Sequence, residues 1–502
     1  MRTVLVANRG EIACRVLRAC REAGLRAVAV HAEDEVGAMH TELADLSVPL
    51  SGAGASAYLD GEAIIAAALQ HDADGIHPGF GFLSERAGFA QAVIDAGLIW
   101  IGPSPDAIKR MGDKMTARIT MREAGVPVIP GEEIEVEPTG DETADLDATL
   151  VAVREASQRV GFPLLLKASA GGGGKGMRAV ESAEGLDEAV RGARREAIAA
   201  FGDGRVYLER LLRGARHVEV QVLADAHGRT VHLGERECSV QRRHQKVFEE
   251  APCAVVDEDQ RQRMGAAAIA AAEAVDYVGA GTVEFLMEND GTFHFLEMNT
   301  RIQVEHPITE LVTGVDLVRE QLRIAAGEPM TVPDLAMRGH AIEVRIYAED
   351  PANGFLPSIG PLAVFRPPTG PGLRLDTGVR EGDEVSPSYD PMLAKLIVHA
   401  PSRNEALQRM RRALEEFIIL GTTTNVAFLR DLCDLDAVVS ASTSTTTLDE
   451  AYPNGWSAEP ATEAALALGA VLASASQGQT HAAEGGPSGP RSPFFSLSRR
   501  YP

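Results

Sequence analysis

No stretch of the 502 residues approaches the roughly 18 consecutive apolar positions that a membrane span requires. The first twenty, MRTVLVANRGEIACRVLRAC, run straight into a strand-turn-helix pattern without an apolar leader or cleavage site. Both absences predict a cytoplasmic protein without membrane partners. Cysteine is scarce. Cys14, Cys20, Cys238, Cys253 and Cys433 show no paired spacing of the zinc or redox kind, which suits a reducing compartment. Basic charge is in deficit: the net charge of −24 excludes a general nucleic-acid binder, which needs a basic face. Two familiar nucleotide signatures are also missing. The turn Asn8-Arg-Gly-Glu11 lacks the three-glycine dinucleotide pattern, which argues against an oxidoreductase. The stretch KASAGGGGKGM at 167–177 sets four glycines between two lysines, as if for phosphate. Yet no Ser or Thr follows its Gly-Lys pair to hold a magnesium ion, so it is no P-loop.

What is present is an ordinary globular composition, 45% hydrophobic and 24% charged, on a chain long enough for two to four domains. Residues 1–111 alternate short apolar strands (3–7, 27–30, 75–77, 99–101) with amphipathic helices (11–23, 61–69, 88–96). That predicts an α/β domain with a parallel sheet covered on both faces. Residues 112–331 hold most of the chemistry; within them 132–150 is acidic and reads as an irregular surface insertion. From 332 to 440, short strands, Pro and Gly turns and a helix at 403–416 predict a separate α+β unit, so the whole chain is α+β overall. Residues 441–502 read as a linker-like tail, with a helix at 461–475 and a Gly, Pro and Ser-rich end.

In an extended chain alternate side chains point to opposite faces. Over 297–305 this puts Glu297, Asn299, Arg301, Gln303 and Glu305 on one face and Met298, Ile302 and Val304 mostly on the other. Such a face is costly unless it meets an ion or charged ligand, the plain alternative being a solvated strand. Upstream, Glu284 lies in a strand at 282–286 that can pair with 293–297 across Asn289-Asp-Gly291, bringing Glu284 near Glu297. Two carboxylates and the Asn299 carbonyl are hard oxygen ligands suited to Mg²⁺ shared with nucleotide phosphates. The run ERECSVQRRHQK at 235–246 concentrates Arg236, Arg242, Arg243, His244 and Lys246 in an acidic chain, which favours a small anion or ATP phosphates. A strand at 206–212, containing Glu209 and Leu212, then turns, as a surface for an adenine edge does. His217, by itself, reads better as structural.

Taken together, ANRGEIACRV (7–16), HPGFGFLSE (77–85), MGDKMTAR (111–118), KASAGGGGKGMR (167–178), ERECSVQRRHQKVFEEAP (235–252), FLEMNTRIQVEHPITE (295–310) and YDPMLAKLIV (389–398) resemble one family. It is the biotin carboxylase subunit or domain of biotin-dependent carboxylases, in the ATP-grasp superfamily, over residues 3 to about 440. The resemblance implies a Rossmann-like pre-ATP-grasp domain, an ATP-grasp domain with a mobile lid at about 132–206, and a biotin carboxylase C-terminal domain. It assigns Lys114, Lys167, Gly172, Gly173, Gly174 and His244 to phosphate, Glu209 and Leu212 to adenine, and His217 and Gln241 to the nucleotide. Glu284, Glu297 and Asn299 match the Mg²⁺ (or Mn²⁺) site. Lys246, Arg301, Gln303, Val304 and Glu305 match the bicarbonate site, and Arg345 the biotin site.

The activity implied is that of an ATP-dependent ligase, the first half-reaction of an acetyl-/acyl-CoA carboxylase. Glu305 takes a proton from bicarbonate, which attacks ATP to give carboxyphosphate; this yields CO₂ and phosphate, and Arg345 stabilises the biotin enolate that captures the CO₂. Partners implied are a biotin carboxyl carrier protein, a carboxyltransferase subunit and further copies of the chain, in a homodimer or larger assembly. No Met-Lys-Met carrier motif occurs in the sequence, so the biotin is expected on another protein or the chain is shortened relative to longer subunits. Three residues or segments depart from the family pattern: Phe80 where tyrosine is common, Arg210 where lysine is frequent, and the long acidic 132–150. Alternatives weighed are a pyruvate or methylcrotonyl-CoA type carboxylase, an ATP-grasp carboxylate–amine ligase and a non-catalytic nucleotide-binding subunit.

Overall fold

The computed structural model describes residues 1–458 apart from 135, 138, 170–176, 244, 334 and 335 and the side chain of 201. The expected helix at 461–475 lies outside the described residues. The N-terminal strands pair in the order Leu46–Pro49, Arg26–His31, Thr3–Val6, Gly75–His77, Ile99–Trp100, all parallel. Alternation divides them between two cores: Val4 and Val6 pack with Ile12 and Val16 of the helix Gly10–Glu22, whereas Leu5 joins Ile64 and Val93 on the other face.

A second, antiparallel sheet of eight strands positions the chemistry. Its order is Phe293–Asn299, Gly279–Met287, Arg216–Ala224, Thr230–Arg242, Gln245–Ala251, His340–Tyr347, Met392–Ala400, Leu373–Thr377. The strand Gln245–Ala251 pairs directly with His340–Tyr347, so the segments divided at 331/332 in the sequence share one continuous sheet. In its first half, Val218, Val220, Val222, Val283 and Phe285 bury one face against the helix Glu258–Glu273. The interleaved residues of these strands are polar and face the other way.

A smaller sheet, Gly131–Glu133, Val206–Arg210, Leu164–Ala168 and Met177–Val180, carries the helices Glu142–Val160 and Leu186–Phe201 on a core of its own, including Val153, Leu164, Val190 and Leu208. Two sequence readings are corrected here. The acidic 132–150 is not irregular: Asp141 accepts from the Thr143 and Ala144 amides, capping the helix that begins at Glu142. Its first-turn acids, Glu142 and Asp145, suit the positive helix end. Residues 441–456, expected to begin a tail, are packed. Arg216 Nη2 donates to the Ala441 carbonyl at 2.6 Å, Thr443 Oγ1 donates to Glu237 at 2.6 Å, and Trp456 is buried beside Phe428. Among the described residues no helix is long and apolar enough to cross a membrane.

Candidate active site

Glu284 stands opposite Glu297 in the ribbon formed by Gly279–Met287 and Phe293–Asn299, as expected from the turn at Gly291, whose φ of +82° favours glycine. On its other side Glu284 is opposite Glu219, and Glu219 is opposite Arg236. Directly opposed residues of antiparallel strands share a face. The row Glu297, Glu284, Glu219, Arg236 therefore crosses four strands on the polar face, three carboxylates deep before one guanidinium. Glu219 and Glu284 are buried while Glu297 is partly exposed, and buried carboxylates so close need cations and donors.

Lys246 is the main cation. Its Nζ donates to Glu219 Oε2 (2.5 Å), Glu284 Oε1 (2.9 Å) and Glu305 Oε1 (2.6 Å). Burial works against its charge, but Glu219, Glu284 and Glu305 outweigh burial and raise its pKa well above the usual lysine value. The reciprocal holds for Glu284. Burial opposes ionisation, yet Lys246 and His217 keep its carboxyl well below the usual range. Glu305 is likewise buried, and Lys246, Arg345 and Arg236 together overcome that burial and hold it ionised. Arg345 reaches Glu305 Oε2 from the neighbouring strand, 3.1 Å from Nη2.

The alternation expected through Glu305 ends at Asn299. The chain then bends, and Glu305 occupies the cap position of the helix His306–Thr313, with Pro307 in its first turn. The Glu305 side chain makes no capping bond, which leaves its carboxylate to Lys246 and Arg345. The bend still gathers most of the predicted group. Gln303 Nε2 donates to Glu284 Oε1 (2.7 Å), Asn299 Nδ2 donates to the same oxygen (2.7 Å), and Arg301 Nη2 donates to Asn299 Oδ1 (2.9 Å). Val304 is joined through its carbonyl, which accepts from Lys395 Nζ at 2.7 Å.

The nucleotide candidates divide into two groups. Lys167 Nζ lies 2.5 Å from Glu209 Oε2, and Glu209 also pairs with Arg118 at 2.9 Å, all on the smaller sheet or beside it. Leu212 follows, half-buried, just beyond the strand Val206–Arg210. Nearer the carboxylate row, His217 Nε2 is 2.7 Å from Glu284 Oε2, Gln241 Nε2 is 3.4 Å from His217 Nδ1, and Lys114 Nζ is 3.8 Å from Glu297. His217, which by itself reads better as structural, thus touches one of the carboxylates predicted for the metal site. Gly172, Gly173, Gly174 and His244 lie outside the described residues. The basic run does not act as a unit, since Arg242 turns away to Glu349 (3.1 Å) and the Phe355 ring.

Residues missed from the sequence had signals there. Glu219 and Gln221 are the polar members of the alternation Val218-Glu-Val-Gln-Val222. Arg236, named from the sequence only as part of the basic run, is fully buried and donates to Glu219, Gln221, Thr282, Thr309 and Gln303. Glu85, within HPGFGFLSE, pairs with Arg301 at 2.9 Å. The donor set also fits a hard divalent cation. Glu284 and Glu297 stand opposite one another, Asn299 lies beside them with its amide nitrogen on Glu284 and its Oδ1 held by Arg301, and Glu297 has only the distant Lys114 as an ion-pair partner among the described residues.

Comparison with known proteins gives three family matches in chain order. Residues 1–108 match the biotin carboxylase N-terminal domain, 113–332 the ATP-binding domain of the carbamoyl-phosphate synthase L chain, and 343–450 the biotin carboxylase C-terminal domain. The chain is 48% identical to a biotin carboxylase of Nostoc sp. over 452 residues, 89% of this chain and 98% of that protein. It is 50% identical to the mitochondrial methylcrotonoyl-CoA carboxylase subunit alpha of Dictyostelium discoideum over 433 residues, 86% of this chain but 60% of that subunit. Among solved structures it is similar to the biotin carboxylase domain dimer of Hydrogenobacter thermophilus 2-oxoglutarate carboxylase, in complex with MgADP, ADP and bicarbonate. There the TM-score is 0.84 at 42% identity, over 90% of this chain and 98% of that one.

Proposed function

This chain belongs to the biotin carboxylase family of ATP-grasp enzymes, which are ATP-dependent ligases, and we propose from that premise that it carboxylates biotin borne on a separate carrier protein. The parent activity in this reading is an acetyl- or acyl-CoA carboxylase, with a carboxyltransferase subunit as the other partner. The Dictyostelium relative keeps a methylcrotonoyl-CoA type as a second reading. One observation carries the proposal: Glu305 lies between two cations, Lys246 on one side and Arg345 on the other.

In this reading Lys114, Lys167, the glycines 172–174 and His244 meet the ATP phosphates, Glu209 and Leu212 the adenine, and His217 and Gln241 the remainder of the nucleotide. Glu284, Glu297 and Asn299 would hold Mg²⁺ or Mn²⁺, which when bound neutralises phosphate charge. Bicarbonate sits with Lys246, Arg301, Gln303 and Val304. Its negative charge draws on Lys246 and weakens the hold of that cation on Glu305, making the carboxylate a stronger base as the substrate becomes a better acid. Glu305 takes the proton, and the bicarbonate oxygen displaces ADP from the γ-phosphoryl group to form carboxyphosphate. Carboxyphosphate yields CO₂ and phosphate; phosphate takes the N1 proton of biotin, and Arg345 balances the enolate as N1 attacks CO₂.

We place domain joints near 111/112 and 331/332, with a lid at about 132–206 whose separate core allows it to move as a body. The five cysteines are all free and buried, in keeping with a cytoplasmic enzyme. A homodimer is the proposed assembly. Exposed Ile359 and Leu420 flank the Ser358–Thr422 hydrogen bonds and, with exposed Leu356 and Ile418, offer an apolar face for a second copy. Substituting Glu for both Ile359 and Leu420 should convert the protein to a monomer in sedimentation equilibrium; an unchanged mass would remove this face from the interface.

The function itself is tested by ADP release with Mg-ATP, bicarbonate and free biotin. The expected result is bicarbonate-dependent ADP formation that rises with biotin. Turnover indifferent to biotin would sink the reading.

A further inference from the structure

Arg345 is gripped from behind as well as from the site. Its Nε donates to Glu249 Oε1 at 2.7 Å while Nη2 reaches Glu305. Glu249 stands directly opposite Glu343 on the next strand, so the two side chains share a face with Cβ atoms about 4.5–5.5 Å apart. Both residues are 0% exposed. Glu249 Oε2 and both oxygens of Glu343 have no hydrogen-bond partner among the described residues.

The nearby cations are committed elsewhere. Lys395, on the strand beyond, donates to the Val304 carbonyl and lies 3.2 Å from Glu11 and 3.8 Å from Asp376. Lys246, on the strand of Glu249, serves Glu219, Glu284 and Glu305. Tyr347 lies further along the strand of Glu343, beside Arg345. The helix His306–Thr313, packed over His340–Tyr347, contributes His306 and Glu310, the latter paired with Arg15 and Arg374. Two ionised carboxylates left facing each other in this setting would repel strongly, and three buried oxygens would stay unpaired. One shared proton removes the repulsion and turns an orphan oxygen into a donor. Burial pushes both carboxyls upward, helped by the charge of Glu305 and, for Glu343, by that of Glu249, against the pull of Arg345 and Lys246 on Glu249 and of Lys395 and Arg345 on Glu343.

We propose that Glu249 is the positioning residue that aims Arg345 at biotin, and that Glu343 holds Glu249 in place by sharing one proton with it. The inference rests on the reading of Arg345 as the group that balances the biotin enolate. With the proton in place, Glu343 donates to Glu249 Oε2 and Glu249 keeps its charge for Arg345, so the three groups sum to zero. Loss of the proton leaves two carboxylates that draw the guanidinium back from the site. Biotin use is therefore intact at lower pH and weakens as pH rises through the titration of the pair.

The test is the KM for free biotin and the KM for ATP, measured by ADP release across pH in the wild type, Glu343→Gln and Glu249→Gln. The wild-type KM for biotin should climb on the alkaline side. Glu343→Gln, whose amide donates but cannot ionise, should flatten that climb. Glu249→Gln should raise the biotin KM about tenfold at every pH, the scale of a lost hydrogen bond to a charged group, with little change in the ATP KM. Infrared spectroscopy of the wild type provides a readout independent of variants: a protonated-carboxyl band at neutral pH, reduced in Glu343→Gln. A Glu343→Gln profile superimposable on the wild type, or no such band in the wild type, overturns the proposal while leaving biotin carboxylation standing. Wild-type turnover indifferent to biotin overturns both.

Discussion

Glu305→Gln abolishes biotin-stimulated ADP release, with an expected loss of about 10²–10⁴-fold, the range for removing a positioned general base. Glutamine keeps the volume and the cap position but cannot take the proton that the proposed reaction passes from bicarbonate to Glu305. The direct contacts to Lys246 and Arg345 become weaker hydrogen bonds, and Lys246 retains Glu219 and Glu284, so the carboxylate row remains neutralised. Among the described residues, Lys114, Lys167, Glu209 and His217 make no hydrogen bond or ion pair with Glu305, which is held by Lys246 and Arg345, so ATP affinity by isothermal titration should stay near the wild-type value. An ATP affinity that falls as far as the rate would mean that Glu305 organises the nucleotide site rather than the proton transfer.

Lys246→Met is expected to be strongly destabilising. It leaves Glu219, Glu284 and Glu305 buried without their shared cation, and breaking one buried pair by removing a partner costs about 3–5 kcal/mol. The pH dependence follows from the directions of the shifts. Lys246, raised in the folded protein, contributes stability that is fully present below its unfolded pKa and fades only as pH rises through the folded value. Glu284 and Glu305, lowered in the folded protein, contribute stability present above their unfolded pKa and lost as pH falls through the folded values. In the variant, burial pushes these carboxyls upward, so they protonate and stop repelling as pH falls. The deficit in denaturant unfolding should therefore be largest near neutral and mildly alkaline pH and shrink toward pH about 5. A deficit independent of pH would mean that lost packing, not uncompensated charge, destabilises the variant.

Much of this site is written locally. Period-two alternation puts Glu284 and Glu297 on one face, and the Asn289-Asp-Gly291 turn sets their register, because both depend on residues close together in the chain. The parallel N-terminal sheet follows from apolar strands alternating with helices for the same reason. The acidic 132–150 misled because charge alone does not separate a solvated loop from the first turn of a helix; the Asp141 cap does.

By itself, then, the sequence determined the chemistry available: carboxylates, an amide and cations, ordered along strands whose alternation keeps them off the apolar core. Only the tertiary structure decided which charges neutralise which. Lys246 meets Glu219, Glu284 and Glu305 across separations of 27 to 59 residues, Arg301 meets Glu85 across 216, and Glu249 faces Glu343 through sheet pairing alone. Ion pairing depends on distance and burial in space, and neither is encoded by spacing along the chain once a strand pairs with one far away.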